Sequence, residues 1–239
     1  MRRVDQLLSS LGYGSRKEAQ RWCDAGRVKL NGTPVDDASQ RVDGAHLTFD
    51  DAPLEFPGGL TVLFHKPVGL VCTHDSREGQ RIYDVLPPRW LQRTPQVTSV
   101  GRLDKDTSGL LVITDDGPLV QRMTSPKHHV EKVYEATLDG PVTDAVIAAF
   151  AAGVPLREGA HTVTPLPAQL RALPDGRAEV TVQEGRYHQV RRMFAAHGLH
   201  VTALHRTRFG PWSLGDLAEG AWTQAASSSK ASATEVPGA

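Results

Sequence analysis

Leu110-Leu-Val-Ile113 is a continuous apolar run bounded by Gly109 and by Asp115-Asp-Gly117. A short apolar run between turn formers reads as a core strand, with the Asp-Asp-Gly turn ending it. Just before it comes Gly101-Arg-Leu-Asp-Lys-Asp-Thr-Ser-Gly109, a polar stretch that reads as a loop. A polar loop fixed to a rigid core strand is a good mount for a reactive group. Either Asp104 or Asp106 reacts, or both only shape a turn, which is the commoner use of Asp in such a loop.

The rest of the chain builds around that strand. Val4, Leu7, Leu8 and Leu11 form one face of a short helix that stops near Gly12 and Gly14. Ser15-Arg-Lys-Glu18 is a capping box opening a second helix with Ala19, Trp22 and Cys23 on its apolar face. Gly26 suits its C-terminal cap. Asn31-Gly32 between alternating residues marks a hairpin, and residues 46–49 add another strand. Residues 1–49 thus read as a small αα-β module. Residues 50–59, with Pro53, Pro57, Gly58 and Gly59, read as a linker.

Strand patterns then recur at 60–64, through Cys72, at 97–100, 132–138, 168–172, 178–183 and 200–208. Helical patterns fall at 82–86, 118–123, 145–152 (capped by Thr143) and 186–197. Strands outnumber helices and hairpins are common. The expected class is α+β, a larger domain over 60–224 on a mostly antiparallel mixed sheet. Residues 225–239 lack apolar periodicity and read as a disordered tail. No internal repeat shows.

Charge is balanced, 27 basic against 27 acidic residues, so polyanion binding has to be sought locally. Residues 2–30 hold seven cations (Arg2, Arg3, Arg16, Lys17, Arg21, Arg27, Lys29) and three acids. Residues 183–210 hold five arginines, four histidines and the single acid Glu184. Two basic islands suggest a split polyanion footprint; the plainer reading is two solvated helix faces. Cys23 and Cys72 have no metal-ligand spacing, so no disulfide framework or metal site is expected. There is no apolar segment behind Met1-Arg-Arg-Val and no run of about 18 apolar residues. A reducing cytoplasm and a monomeric protein with no membrane partner are expected.

Leu11-Gly-Tyr-Gly-Ser-Arg-Lys-Glu-Ala19 and Gly26-Arg-Val-Lys-Leu-Asn-Gly32 resemble the S4 RNA-binding domain. That resemblance implies RNA-backbone contacts for Arg16, Lys17, Arg21, Arg27 and Lys29. Such phosphate contacts give affinity and register but read no sequence. Trp22 reads as core rather than as a stacking platform.

Four further clusters are ambiguous singly: the 101–109 loop, His65-Lys-Pro-Val-Gly69, Lys132-Val-Tyr134 and Glu184-Gly-Arg-Tyr-His-Gln-Val-Arg-Arg-Met193. Together with Thr124-Ser-Pro-Lys-His-His129 they resemble the RsuA-type pseudouridine synthases, in that family's domain order. The resemblance implies isomerisation of a uridine in ribosomal RNA. The base leaves the ribose through N1 and is reattached through C5, without redox chemistry, metal or other cofactor. The small-subunit (16S) RNA is favoured, at a site of the uridine 516 type, over the 23S target of relatives in the same branch.

By that resemblance Asp104 is the catalytic carboxylate, attacking C1′ or removing the 2′ proton. Arg191 is the cation that keeps it ionised, and Tyr134 stacks on the extracted base. A nucleotide buried in RNA must flip out to be processed. Val190 and Leu204 are then apolar pocket walls, and Arg102 holds the flipped nucleotide or fills its place. Asp106 reads as a loop-shaping residue. One departure is the end: Gly220-Ala-Trp222 is followed by Thr-Gln-Ala rather than by the branch's arginine and Pro-Leu. Two other classes compete. A non-catalytic RNA-binding ribosome-assembly factor also fits the basic islands. A glycoside hydrolase would need two carboxyls straddling a sugar bond, for which Asp104 and Asp106 are too close in sequence.

Overall fold

The computed structural model describes residues 1–225. The tail expected from Ala225 onward lies outside the described residues save for its first position.

The N-terminal unit packs helices Val4–Ser10 and Arg16–Asp24 on a small antiparallel sheet ordered Thr33–Pro34, Val28–Leu30, Leu47–Phe49, Ala52–Pro53. The capping box forms: Ser15 Oγ accepts from Glu18 N at 3.3 Å, and Glu18 Oε2 accepts from Ser15 N at 2.8 Å. Val4, Leu7, Leu8, Leu11, Ala19 and Cys23 are buried together. Asn31 and Gly32 both take positive φ, 50° and 83°, as a two-residue hairpin turn requires. Trp22 packs on Phe49 with ring centroids 4.8 Å apart.

The stretch expected as a linker is in part sheet. Asp50 and Asp51 also have positive φ, 52° and 63°, and turn the chain back so that Ala52–Pro53 pairs with Leu47–Phe49. Leu54 is then buried in the small core, and Phe56 packs edge-on against Trp90 and Trp222.

The larger unit is one sheet in the order Gln169–Ala172, Ala178–Val182, Lys132–Leu138, Val201–Phe209, Thr107–Thr114, Thr61–Lys66, Trp222–Gln224. All its pairings are antiparallel except that of Thr107–Thr114 with Val201–Phe209. The α+β class and mostly antiparallel mixed sheet are as expected. The strand after the polar 101–106 stretch begins at Thr107, because Thr107, Ser108 and Gly109 already pair with Leu204, His205 and Arg206. Gly109 sits at φ +108°, and a Cβ there would come within 2.5 Å of the Arg206 backbone. The two strands approach that closely only because Gly109 has no side chain.

Three local expectations change. Residues 70–72 make a single bridge, Val71 to Arg81, rather than a strand. Thr143 occupies the N-cap of helix Asp144–Ala152 without a side-chain capping bond. The last long helix spans Gln189–Ala195, not 186–197. His188 just before it is left-handed, φ 48°, so Arg186-Tyr187-His188 is a loop. At the chain's unusual end, Trp222–Gln224 pairs as an edge strand with Val62–Phe64.

Candidate active site

Side chains alternate across a strand, and this divides the sheet. Lys132, Tyr134, Val182, Leu204 and Arg206 line one concave cleft of about 560 Å³. Val133, Glu135, Thr181, His205 and Thr207 lie on a polar groove of the other face. Arg102 and Asp104 of the 101–106 loop border the first cleft, as do Val190 and Arg191. Arg102, Asp104, Tyr134, Val190, Arg191 and Leu204 are therefore brought together around one cavity. Its size is within the usual range for small-ligand sites.

The loop is pinned by backbone rather than by side chain. Lys66, fully buried, donates through Nζ to the carbonyls of Asp104 (3.1 Å), Thr107 (2.9 Å) and Pro67 (3.0 Å). Burial pulls the Lys66 ammonium below its ordinary range. Gly69 N donates to Lys105 O at 2.7 Å, and Thr107 N to Asp104 O at 3.1 Å. The Lys66-Pro-Val-Gly69 turn is thus the cradle of the Asp104 loop. Sequence alone marks it as a Pro/Gly turn; its partners lie 38 and 41 positions away.

The two aspartates are separated by their neighbours. Asp104 faces the cleft, half-exposed, with Oδ1 3.5 Å from His188 Nε2. Asp106 points outward and pairs with Arg191, Oδ2 to Nη2 2.9 Å. Arg191 also donates to the carbonyls of Asp106 (3.2 Å) and Val201 (2.9 Å). Arg191 is therefore beside the Asp104 loop, but its direct carboxylate partner is Asp106. The cation-capable group beside Asp104 is His188, whose exit from the helix creates the contact. The sequence shows no partner for it because the two are brought together only by the fold.

Tyr134 is half-buried between the two cores of the sheet. Val190 and Leu204 are buried, 5% and 6% exposed, as apolar wall. Arg102 is exposed at the rim. Lys132, two residues before Tyr134, donates to Val130 O at 3.0 Å. Burial, and then the Arg206 charge, push its ammonium down to about 8. Among the described residues no group of three or more His, Cys, Asp or Glu side chains is placed to hold a metal ion.

The basic residues of the N-terminal unit divide. Arg16, Lys17 and Arg21 are exposed and make no salt bridge among the described residues. Arg27 is bidentate on Asp50 (2.7 and 2.5 Å) and lies 4.8 Å over the Phe49 ring. Lys29 pairs with Asp51 at 2.5 Å. No described helix is long and apolar enough to cross a membrane.

Residues 61–196 match the RNA pseudouridylate synthase family and residues 2–46 the S4 domain. "Ribosomal small subunit pseudouridine synthase A" of Pasteurella multocida is 39% identical, covering 91% of this chain and 93% of its own. Its namesake in Escherichia coli is 38% identical, covering 91% and 94%. An uncharacterized RNA pseudouridine synthase of Bacillus subtilis is 37% identical over 89% of both chains. A crystal structure of a pseudouridylate synthase superposes with a TM-score of 0.63 at 36% identity, covering 95% of this chain and 96% of that one. With the model matching more than half its length and such relatives spanning nearly all of it, the chain belongs to the RNA pseudouridylate synthase family and carries an S4 domain before the catalytic one.

Proposed function

We propose that the protein converts one uridine of 16S ribosomal RNA, at a site of the uridine 516 type, into pseudouridine in the cytoplasm. The observation that carries this reading is the Asp104 carboxylate, held by a backbone-pinned loop at the edge of a cleft whose wall is Tyr134. The relatives named for the small ribosomal subunit favour that RNA over the large-subunit one.

The flipped uridine enters the cleft with its base against Tyr134 and its ribose toward Asp104. Asp104 either attacks C1′ or removes the 2′ proton. In both routes the C1′–N1 bond breaks and its electron pair leaves with uracil. The base turns, and C5 bonds to C1′ as the Asp104–C1′ bond breaks or as C2′ takes its proton back from Asp104; the C5 proton is then lost, with Tyr134 nearby to assist, and N1 takes one up. Val190 and Leu204 exclude water from the base. Arg191 acts on Asp104 through the shape of its loop, by holding Asp106. Arg102 at the rim holds the flipped nucleotide or fills the gap it leaves. The cations of the S4 domain, Arg16, Lys17, Arg21, Arg27 and Lys29, hold the RNA backbone.

Mapping pseudouridines in the ribosomal RNA of a deletion strain tests the substrate. The expected result is one lost site in 16S RNA, restored by the wild-type gene. A lost 23S site would correct the target, and an unchanged map would refute the reading.

A further inference from the structure

The cleft holds a cation that the reaction above does not use. Arg206 is only 2% exposed, yet its side chain borders the cavity. Its Nε donates to Leu110 O at 2.8 Å, while Nη2 is buried with no partner. It makes no salt bridge among the described residues. Its guanidinium lies 4.7 Å over Phe209 and 6.0 Å from the Tyr134 ring centre. A guanidinium does not shed its proton, and a buried charge without a counter-ion is costly.

The neighbourhood makes the imbalance larger. Tyr134 and Arg206 are direct cross-strand partners, and Lys132 on the same face is a second cation, held by the Val130 carbonyl and lying 5.6 Å from the Phe209 ring centre. Glu184, the acid whose charge acts on Lys132, is already engaged by Arg186 and the Leu166 amide. The surface against which the base is proposed to stack is thus flanked by two cations, neither of which is in a salt bridge among the described residues.

Three anions come near this cleft in the proposed reaction. The Asp104 carboxylate is not within salt-bridge distance of Arg206; its neighbour is His188. An RNA phosphate belongs at the accessible rim, and Arg206 is at the buried, base-stacking end. The third is uracil itself. When C1′–N1 breaks, the electron pair passes to N1 and spreads onto O2 and O4. Meanwhile C1′ gains the Asp104 oxygen, or C2′ gives its proton to Asp104. The base carries one negative charge until C5 bonds to C1′.

We infer that Arg206 is a further catalytic residue: its guanidinium, which lines the cleft with no carboxylate partner, donates to a carbonyl oxygen of the flipped uracil and stabilises the uracilate. This rests on the isomerisation proposed above but holds for either role of Asp104. A preorganised donor aimed at developing charge in a water-poor site is among the strongest catalytic devices.

The test compares wild type, R206Q and R206K in single turnover on the RNA fragment that wild type modifies, carrying uridine or 5-fluorouridine at the target. Folding is checked by circular dichroism. R206Q is expected to slow uridine turnover about a hundredfold with RNA affinity nearly unchanged, and R206K less. With 5-fluorouridine, whose base leaves as a more stable anion, the R206Q defect shrinks about tenfold. An equal defect on both nucleotides, or a loss confined to RNA affinity, overturns the inference.

If R206Q does not fold, wild type alone decides. 5-Nitrouracil, readily ionised near neutral pH, should bind about tenfold more tightly than neutral uracil, and equal binding overturns the inference. A wild type inactive on every ribosomal RNA fragment would refute the proposed function instead, and the base-binding comparison would still read Arg206.

Discussion

Asp104 and Asp106 stand two positions apart in one loop, and their surroundings give them different work. Asp106 is taken by Arg191, whereas Asp104 is left facing the cleft beside His188. Lys132 shows the cost of such a site to the fold. It ionises at about 8 instead of 10.5. Below about pH 8 the folded chain carries a poorly solvated charge. Between about 8 and 10.5 the unfolded chain binds more protons, so stability rises with pH. K132M is therefore expected to melt above wild type at pH 7, with the gain fading by pH 10.5; a gain constant across that window contradicts this. At this scale the sequence, read with its resemblance, names the residues whose motifs are local. Asp104, Tyr134, Arg191, Arg102, Val190 and Leu204 all reach one cleft. Lys66, His188 and Arg206 escape it because each takes its meaning from a partner in a distant segment.

The element that matters most is the 101–106 loop with the strand Thr107–Thr114 behind it. Its position comes from the neighbouring Lys66 turn, since three carbonyls converge on one buried ammonium. K66M removes that donor. Turnover is expected to fall about a hundredfold, the usual effect of a misplaced reactive group, with RNA affinity little changed. Full activity in K66M would mean that the loop holds itself. Strand and helix identities were largely legible, because apolar runs and caps are local signals. The capping box, the Asn31-Gly32 turn and the 132–138 strand appear where the pattern puts them. Boundaries were less so, and one of them is functional. A helical pattern over 186–197 hides the left-handed His188, and that residue turns the helix start into the wall of the site. Likewise Asp50-Asp51 reads as linker but folds as a hairpin turn, since it too needs left-handed backbone at non-glycine residues.

Across the whole molecule, the S4 unit meets the catalytic unit along the 89–94 segment. Thr94 N donates to Ser10 O at 2.9 Å, and Arg89 lies 4.3 Å over the Tyr13 ring. Gly12 passes so close to Arg89 that a Cβ would sit 2.4 Å from its carbonyl oxygen. RNA held by one unit can thus be presented to the other in a fixed register. In the proposed function Arg16, Lys17 and Arg21, which make no salt bridge among the described residues, carry the larger share of that grip, because Arg27 and Lys29 must first leave Asp50 and Asp51. Replacing all three by Gln is expected to lower RNA affinity and reduce its log-log salt slope by about 2; R27Q changes the slope less. An unchanged slope in the triple variant would place the RNA elsewhere. In the proposed function this assembly brings one ribosomal uridine to Asp104. Tritium release from 5-labelled uridine in ribosomal RNA tests it most directly, comparing wild type with D104N and D106N. Wild type and D106N should release tritium, D106N more slowly, and D104N should release none above background. Release by D104N at the wild-type rate would rule out Asp104 as the reacting carboxylate.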